Sequence, residues 1–226
     1  ASPLTEADLA AHNCIVDGLS NVSDLPILSE ESADISWQER NSWDTYWLVD
    51  PLDGTKEFIK KNGEFTVNIA LIKDGTPIFG VVYAPVLDQT YVGVLGQGAF
   101  KITAGVKALI SPIAWTKGET WKIVGSRSHQ SPEIQALLDS LEGETELVAM
   151  GSSLKLCLVA EGAAHLYPRL GPTSEWDTGA AQAVVEAAGG KVTIIESASD
   201  PLKADAQPLR YNQKESVLNP YFLVSC

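Results

Sequence analysis

Residues 47–58, with the sequence WLVDPLDGTKEF, hold the feature that decides the fold. An apolar strand runs there into two carboxylates, Asp50 and Asp53, which stand on either side of a proline. The fixed φ of Pro51 stiffens the turn and leaves the carbonyl of Leu52 free to point at the same place. Carboxylate and carbonyl oxygens suit Mg²⁺ or another hard divalent cation rather than zinc. The stretch therefore predicts a rigid strand end that can hold a metal ion.

The pair Gly54-Thr55 follows the second carboxylate and predicts the start of a short helix, whose unpaired N–H groups can receive a phosphate. The same Asp-Pro-x-Asp-Gly sequence is also ordinary turn chemistry, and that alternative needs no metal. Two other acids beside apolar segments favour the metal site, Glu30 and Asp177. Each has its own alternative, because Glu30 suits a solvated loop and Asp177 suits a helix N-cap.

The segments around this stretch predict an antiparallel sheet in the first part of the chain. Strands are expected at residues 46–49, 66–72, 78–84 and 89–94, with Lys73-Asp74-Gly75 as a hairpin turn. Ahead of them, Thr5 followed three residues later by Asp8 predicts a capped helix that ends near Gly18. Residues 96–117 give no clear pattern.

From residue 122 onward, short apolar strands alternate with helices, which is typical of an α/β arrangement. Strands are expected at 122–125, 146–149 and 164–167, and helices at 132–141, 154–161 and 178–188. Asp177 is expected to cap the last helix, and Gly189-Gly190 to end it. The prediction is an α+β part over residues 1–121 and an α/β part over residues 122–226, which together form one compact catalytic unit. A mixed sheet of roughly five strands is expected in the first part.

The composition is that of a folded globular protein. The chain has 226 residues, 45% of them hydrophobic and 20% charged, which excludes collagen, a coiled coil and a disordered tail. Lys and Arg number 16 against 29 Asp and Glu, a formal net charge of −13. Such a field repels a phosphate backbone and an anionic membrane surface, so no nucleic-acid partner is expected.

Cysteine usage and hydropathy bear on the location of the protein. Cys14, Cys157 and Cys226 form neither a CxxC pair nor a zinc spacing and suit a reducing cytosol. No apolar run approaches the roughly 18 residues of a spanning helix, so no integral membrane segment is expected. The opening ASPLTEADLAAH has neither the basic region nor the apolar core of a signal peptide. A cytoplasmic location is predicted, with peripheral contact at the inner membrane left open.

The acidic motifs together resemble those of a known family. DPLDGT, with SEE upstream and WDTGAAQAVVEAAGG downstream, is similar to the signatures of the lithium-sensitive inositol monophosphatase superfamily. The longer strings WLVDPLDGTKEFIKKNGEFTVNIALI, GSSLKLCLVAEG and YPRLGPTSEWDT resemble its bacterial 3′(2′),5′-bisphosphate nucleotidase branch, over essentially the whole chain. The resemblance implies an α+β to α/β fold, a layered α-β-α-β-α sandwich that lacks the family's opening N-terminal helix in this chain.

The resemblance also implies roles for individual residues. The implied metal ligands are Glu30, Asp50, the carbonyl of Leu52, Asp53 and Asp177. Two Mg²⁺ ions would neutralise the four carboxylates, and about two or three ions per site are expected. The implied catalytic residues are Asp8, Glu30 and Thr55, with Asp8 helping Thr55 to accept a proton from the attacking water. Without the resemblance, Asp8 is explained as a first-turn helix acid.

Two further segments, GSRSH at residues 125–129 and GSSLK at 151–155, are implied to contact a nucleotide. Hydroxyls, backbone N–H groups and a lysine suit a second phosphate or a sugar. The implied substrate-binding residues are Leu52, Asp53, Gly54, Thr55, Ser126, His129, Gly151, Lys155 and Asp177. The alternatives are a surface helix cap for His129 and a solvated side chain for Lys155. Arg169 is a further candidate for anion binding that can equally pair with an acid.

The implied function is a Mg²⁺-dependent phosphatase that releases the 3′-phosphate of adenosine 3′,5′-bisphosphate, giving AMP by attack of a metal-activated water. An inositol monophosphatase and a sugar bisphosphatase stay open as alternatives, because they would use the same metal site. A catalytically inactive metal-binding homologue also stays open, because the chain begins almost on the catalytic helix. Family membership further implies lithium sensitivity, a role in sulfur metabolism and compatibility with a homodimer. The chain has WDTGAA where W-D-x-A-A-G is commoner, and no metal ligand is lost.

Overall fold

The computed structural model describes residues 5–125, 131–196 and 206–226. The helices are α1 (Glu6–Ser20), α2 (Trp37–Arg40), α3 (Thr55–Lys60), α4 (Pro132–Asp139), α5 (Leu154–Ala160) and α6 (Glu175–Ala188), and Glu30–Ser32 forms a 3-10 turn. The strands are β1 (Ile27–Ser29), β2 (Thr45–Asp53), β3 (Thr66–Lys73), β4 (Thr76–Ala84), β5 (Gln89–Val94), β6 (Gly98–Thr103), β7 (Val106–Ile110), β8 (Trp121–Gly125), β9 (Thr145–Ala149), β10 (Tyr167–Arg169), β11 (Lys191–Ile194) and β12 (Phe222–Ser225).

The first seven strands form one sheet in chain order, from β1 to β7. β1 runs parallel to β2, and each later pair is antiparallel. The β3–β4 hairpin turns at Asp74 and Gly75, whose φ angles of +49° and +75° suit the tight turn predicted there. The predicted strands are confirmed, but the sheet is wider than predicted because residues 96–117 contain β6 and β7. Most of β7 is exposed at the sheet edge, so burial imposes no alternating pattern on its sequence.

The second part of the chain forms two small sheets. β8 pairs in parallel with β9, whereas β10, β12 and β11 form an antiparallel sheet. The strand predicted at 164–167 is displaced to β10, which contains Pro168. Proline is tolerated there because β10 lies at the edge of its sheet, where one side of the strand needs no N–H donor. Strands β11 and β12 were not predicted.

Helix α6 is the central element of the core. It packs on β2 to β6 of the large sheet and on α5, which in turn contacts β8, β10 and β12. The close approach requires glycine in the sheet: a Cβ on Gly80 would lie 2.2 Å from the carbonyl oxygen of Ala180, and one on Gly93 would lie 2.5 Å from the Cα of Val184. Helices α5 and α6 therefore lie between the large sheet on one side and the strands β8, β10 and β12 on the other.

The remaining helices complete the layers. α1 packs on β2, and Leu138, just inside the C-terminal end of α4, packs against a small apolar cluster that includes Trp121 and Ile123 of β8. The order of helices and sheets agrees with the predicted layered sandwich. Helix α6, from the second part of the chain, covers the sheet of the first part, so the two parts share one core. The division between residues 121 and 122 stays a prediction. Within the described ranges, no helix is both long and apolar enough to cross a membrane.

Candidate active site

The end of β2 carries two of the predicted metal ligands. Its register with β3 shifts between Asp50 and Asp53, where Pro51 has no N–H to donate to the ladder. The N–H of Leu52 donates to Asp50 Oδ1 at 3.0 Å. Asp50 is 1% exposed, and its Oδ2 is buried without a hydrogen-bond partner among the described residues. The irregular strand end thus holds a buried carboxylate oxygen that no described hydrogen-bond donor satisfies.

Asp177 brings a third carboxylate from α6. The N-cap of this helix is Ser174, so the prediction that Asp177 caps the helix and that the helix begins at Thr178 is wrong. Asp177 stands in the first turn, where its Oδ2 accepts the N–H of Ser174 at 2.7 Å. The Ser-x-x-Asp spacing explains the difference, because it places an acid where it can bond back to the N-cap N–H. This bond fixes the direction of the Asp177 side chain.

The three carboxylates form one compact cluster. Oxygens of Asp50, Asp53 and Asp177 all lie within 4.8 Å of one another. Burial and, next, the neighbouring charge of Asp53 raise the pKa of Asp50 well above its ordinary range. The same two causes raise the pKa of Asp177 to about 7. An all-oxygen donor set with an unsatisfied buried oxygen fits a hard divalent cation, whose charge would offset the repulsion.

Glu30 completes the acidic side of the site. The parallel pairing of β1 with β2 sets Ser29 beside Val49, and so brings the next residues, Glu30 and Asp50, to the same end of the sheet. The charge of Glu30 contributes to the raised pKa of Asp50 and of Asp177. A cavity of about 450 Å³ is lined by the whole predicted ligand set, Glu30, Asp50, Leu52, Asp53 and Asp177. The structure therefore brings all five together.

The predicted catalytic residues Thr55 and Asp8 are both buried. Thr55 begins α3 and lines the same cavity as the acids, and its Oγ1 donates to the carbonyl oxygen of Leu52 at 3.5 Å. Asp8 lies in the first turn of α1, and its Oδ2 accepts the N–H of Thr5 at 2.9 Å as well as the Thr5 hydroxyl. No hydrogen bond joins Asp8 to Thr55 in the part of the chain that the structure describes, so their pairing stays a prediction.

The loop before α5 packs tightly beside α3. A Cβ on Gly151 would lie 3.0 Å from the carbonyl oxygen of Glu64, so glycine permits this approach. Lys155, at the start of α5, places its Nζ 5.6 Å from the centre of the Tyr167 ring. A cavity of about 170 Å³ is lined by Gly54, Gly151 and Lys155 together with Asp53 and Asp177. Three predicted substrate contacts thus lie beside the acids, while Ser126 and His129 lie outside the described residues.

Arg169 stands between the acidic cluster and a third cavity. One guanidinium nitrogen, Nη2, donates to the carbonyl oxygen of Pro172 at 3.0 Å, and Nε is buried without a partner among the described residues. Arg169 and Lys155 line both the cavity of about 170 Å³ beside the acids and a neighbouring cavity of about 540 Å³. The neighbouring cavity has apolar lining residues, Ile123, Ile134, Leu138, Leu147 and Leu170. The cleft therefore passes from an acidic end, past two cations, to an apolar end.

Sequence reasoning missed two residues that hold the acidic cluster. Ser153 donates its N–H to Asp53 Oδ2 at 2.6 Å, and Asn68 donates to the Ser153 hydroxyl at 2.8 Å. The available signal was the alternation of β3, which turns Asn68 inward among apolar residues, where a polar group needs a partner. Ser153 lies within the GSSLK string, whose Gly and Lys alone were selected.

Comparison with known proteins gives a match along almost the whole chain. The inositol monophosphatase family model matches residues 1–220. The 3′(2′),5′-bisphosphate nucleotidase CysQ of Escherichia coli K12 is 51% identical over 225 residues, which cover 99% of this chain and 85% of that protein. The protein of the same name from Haemophilus influenzae is 36% identical over 230 residues, covering 99% of this chain and 80% of that protein.

Solved structures agree with the layered fold. CysQ from Bacteroides thetaiotaomicron has a TM-score of 0.82 at 43% identity, covering 97% of this chain and 83% of that chain. Staphylococcal IMPase-II has a TM-score of 0.74 at 22% identity, covering 96% of this chain and 76% of that chain, and this likeness concerns the fold alone. Together with the motifs and the acidic cluster, these matches show that the chain belongs to the inositol monophosphatase family.

Proposed function

We propose that this protein is a Mg²⁺-dependent phosphatase that removes the 3′-phosphate of adenosine 3′,5′-bisphosphate, giving AMP and phosphate. The observation that carries the proposal is that carboxylates and cations line one cleft. Acids alone would repel a phosphate ester, so this arrangement suits a phosphate that meets bound metal ions. The 51% identity to CysQ of Escherichia coli K12, named as a 3′(2′),5′-bisphosphate nucleotidase, supports the choice of substrate.

The acidic end of the cleft is assigned to the reacting phosphate. Glu30, Asp50, Asp53, Asp177 and the Leu52 carbonyl would hold the divalent cations, about two or three per site. Such ions supply charge neutralisation and lower the pKa of a water molecule. The Thr55 hydroxyl, which donates to the Leu52 carbonyl at 3.5 Å, would orient the attacking water. As its oxygen accepts the proton of the water, its own proton would pass to Asp8.

The other end of the cleft is assigned to the rest of the nucleotide. Lys155 and Arg169 would bind the second phosphate, because a guanidinium offers paired donors to phosphate oxygens. Beyond them, the cavity of about 540 Å³ has the apolar lining that a nucleoside requires. An inositol monophosphate has neither a second phosphate nor a flat base for this end. Ser126, His129 and Gly151 are kept as further proposed contacts.

A proposed location follows from the same proposal. A nucleotide bisphosphate is an intracellular metabolite class, so we place the protein in the cytoplasm. The net charge of −13 supports a small-molecule substrate rather than a nucleic acid. A homodimer and peripheral contact with the inner membrane stay predictions.

The test is phosphate release from adenosine 3′,5′-bisphosphate and from inositol 1-phosphate, each with Mg²⁺ and with EDTA. We expect the nucleotide to have a kcat/KM at least about tenfold higher, with AMP as the product by chromatography. EDTA should abolish release, and Mg²⁺ should restore it. A preference for inositol 1-phosphate would overturn the nucleotide assignment and keep the metal site. No release from either compound by the folded protein would favour an inactive homologue.

A further inference from the structure

Ser153 connects separate elements around the acidic cluster. It is 1% exposed and directly precedes α5. Its N–H donates to Asp53 Oδ2 at 2.6 Å, and its Oγ lies 2.8 Å from the same oxygen. The same Oγ lies 2.7 Å from the main-chain carbonyl oxygen of Asp177. Ser153 thus contacts two of the three clustered residues: the side chain of Asp53 and the backbone of Asp177.

Asn68 fixes the direction of the Ser153 hydroxyl. Asn68 lies on β3, is 1% exposed, and donates from Nδ2 to Ser153 Oγ at 2.8 Å. Since that bond occupies an acceptor site of the hydroxyl, the single hydroxyl proton is directed to Asp53 Oδ2 or to the Asp177 carbonyl. The Ser153 N–H already holds Asp53 Oδ2, so the hydroxyl is available to reach α6. The result is one hydrogen-bonded unit that joins β2, β3, α5 and α6.

The two oxygens of Asp53 therefore have different surroundings. Oδ2 accepts the N–H of Ser153, has its hydroxyl at 2.8 Å, and has the hydroxyl of Thr66 at 3.5 Å. The N–H of Ser153 occupies Oδ2, and none of these three contacts involves Oδ1, so Oδ1 is the oxygen expected to bind a cation. Residues that orient a metal ligand in this way commonly change metal affinity or activity by about 10- to 100-fold when they are altered.

We propose that Ser153, supported by Asn68, is a positioning residue that sets the side chain of Asp53 and the start of α6 for binding a divalent cation. The inference rests on the proposed function only in that the acidic cluster binds such a cation. Ser153 acts through Asp53 and Asp177, because its own hydroxyl is engaged by protein groups. Ser153 acts only through hydrogen bonds and adds no charge to the site.

The test compares three substitutions in the full chain. Ser153→Ala keeps the backbone N–H and removes the links to Asn68 and Asp177, whereas Ser153→Thr keeps a hydroxyl. Ser23→Ala is the matched control, because it also removes a partly buried hydroxyl. The Ser23 hydroxyl accepts the Nε1–H of Trp47 at 2.8 Å and makes no described hydrogen bond to the acidic cluster. Binding of Mn²⁺ without substrate is titrated by electron paramagnetic resonance, with Mg²⁺ as competitor. The Mg²⁺ dependence of phosphate release is measured alongside.

We expect Ser153→Ala to raise the Kd for Mn²⁺ by about tenfold, with Ser153→Thr and Ser23→Ala within about twofold of the parent. The Mg²⁺ concentration for half-maximal release should rise more than kcat at saturating Mg²⁺ falls. Circular dichroism reports folding, and if Ser153→Ala does not fold, Asn68→Ala must raise the Kd instead. A folded variant with the parent's Kd would overturn the inference.

The two proposals fail in different ways. If the parent binds Mn²⁺ with an affinity that depends on Ser153 but releases no phosphate from the nucleotide, the proposed function fails and the positioning role stands. If the parent hydrolyses the nucleotide and Ser153→Ala leaves the Kd unchanged, only the positioning role fails. If the parent binds no Mn²⁺, both are overturned.

Discussion

The acidic cluster and the two cations of the same cleft, Lys155 and Arg169 (the cationic wall), are positioned by different kinds of structure. Asp50 lies near the end of the buried strand β2, and Asp177 stands in the first turn of the core helix α6, so rigid elements hold both acids. Lys155 and Arg169 reach the cleft on long side chains, one lying over an aromatic ring and the other tied to a single carbonyl. Metal coordination needs fixed oxygens, whereas a phosphate can be met by adjustable cations. Loss of an acid should therefore abolish the activity, and loss of a cation should only tune it.

The most severe test of this contrast is Asp50→Asn. The amide has no charge to hold a divalent cation, so kcat/KM should fall by about 10³-fold. The unfolding temperature in EDTA should not fall, because an uncharged amide replaces a carboxyl whose ionisation burial and the neighbouring acids disfavour. Phosphate release and thermal unfolding in EDTA are measured together. Asp139→Asn, at the end of α4, is the control, and a variant at Asp50 that keeps a tenth of the activity would remove this residue from the metal site.

The rigidity of the acidic side is tested by Gly80→Ala. A Cβ there would lie 2.2 Å from the carbonyl oxygen of Ala180 and would push α6 off the sheet. We expect the free energy of unfolding in urea to fall by about 3 kcal/mol. Gly18→Ala is the matched control, because nothing lies within 4 Å of its added Cβ in α1 and it should gain about 0.5 kcal/mol. Equal urea midpoints for the two variants would show that α6 does not need this close contact.

The same contrast explains what could be predicted from the sequence. The strand predicted at 46–49, the Asp74-Gly75 hairpin and the Thr5 cap depend on neighbouring residues, and each is confirmed. Strands β11 and β12 depend on pairing between distant segments, and their short sequences carry no signal of it. For Asp177, the rules for an N-cap and for the third helical position both apply, and only the position of Ser174 decides between them.

The acidic ligands were found because they stand in a motif, whereas their supports were missed because they come from elsewhere in the chain. Asn68 and Ser153 are 85 residues apart, and Ser153 and Asp53 are 100 apart. No local pattern joins residues at such separations. Polar side chains at inward strand positions, such as Asn68, are the one sequence feature that announces a buried partner.

A smaller effect is expected for Lys155→Ala, which would remove one of the contacts proposed for the second phosphate. KM for adenosine 3′,5′-bisphosphate should rise about tenfold with little change in kcat, because the lost contact binds the substrate and transition state alike. For adenosine 3′-phosphate, which lacks the second phosphate, KM should change less than about twofold. Lys191→Ala, on an exposed position of β11, is the control. A fall in kcat with unchanged KM would place Lys155 in the chemistry instead.

The smallest expected effect is a pH dependence that belongs to the acids alone. The pKa of Asp177 is raised from 3.8 to about 7 by burial and by Asp53, so the folded protein binds protons more tightly than the unfolded chain between these values. The contribution of Asp177 to the stability of the metal-free protein is therefore fully present below about pH 4 and is lost as pH rises to about 7. Glu175, whose pKa burial also raises to about 7, adds to the same loss.

In EDTA, the unfolding temperature should therefore fall by about 5 °C between pH 5 and pH 8. In excess Mg²⁺ the fall should shrink, because the cation replaces the proton as the charge that offsets the cluster. Asp177→Asn should flatten part of the slope in EDTA and leave the part due to Glu175, whereas Lys155→Ala should leave the whole slope in place. If Asp177→Asn and the parent lose stability equally, the protons are bound elsewhere.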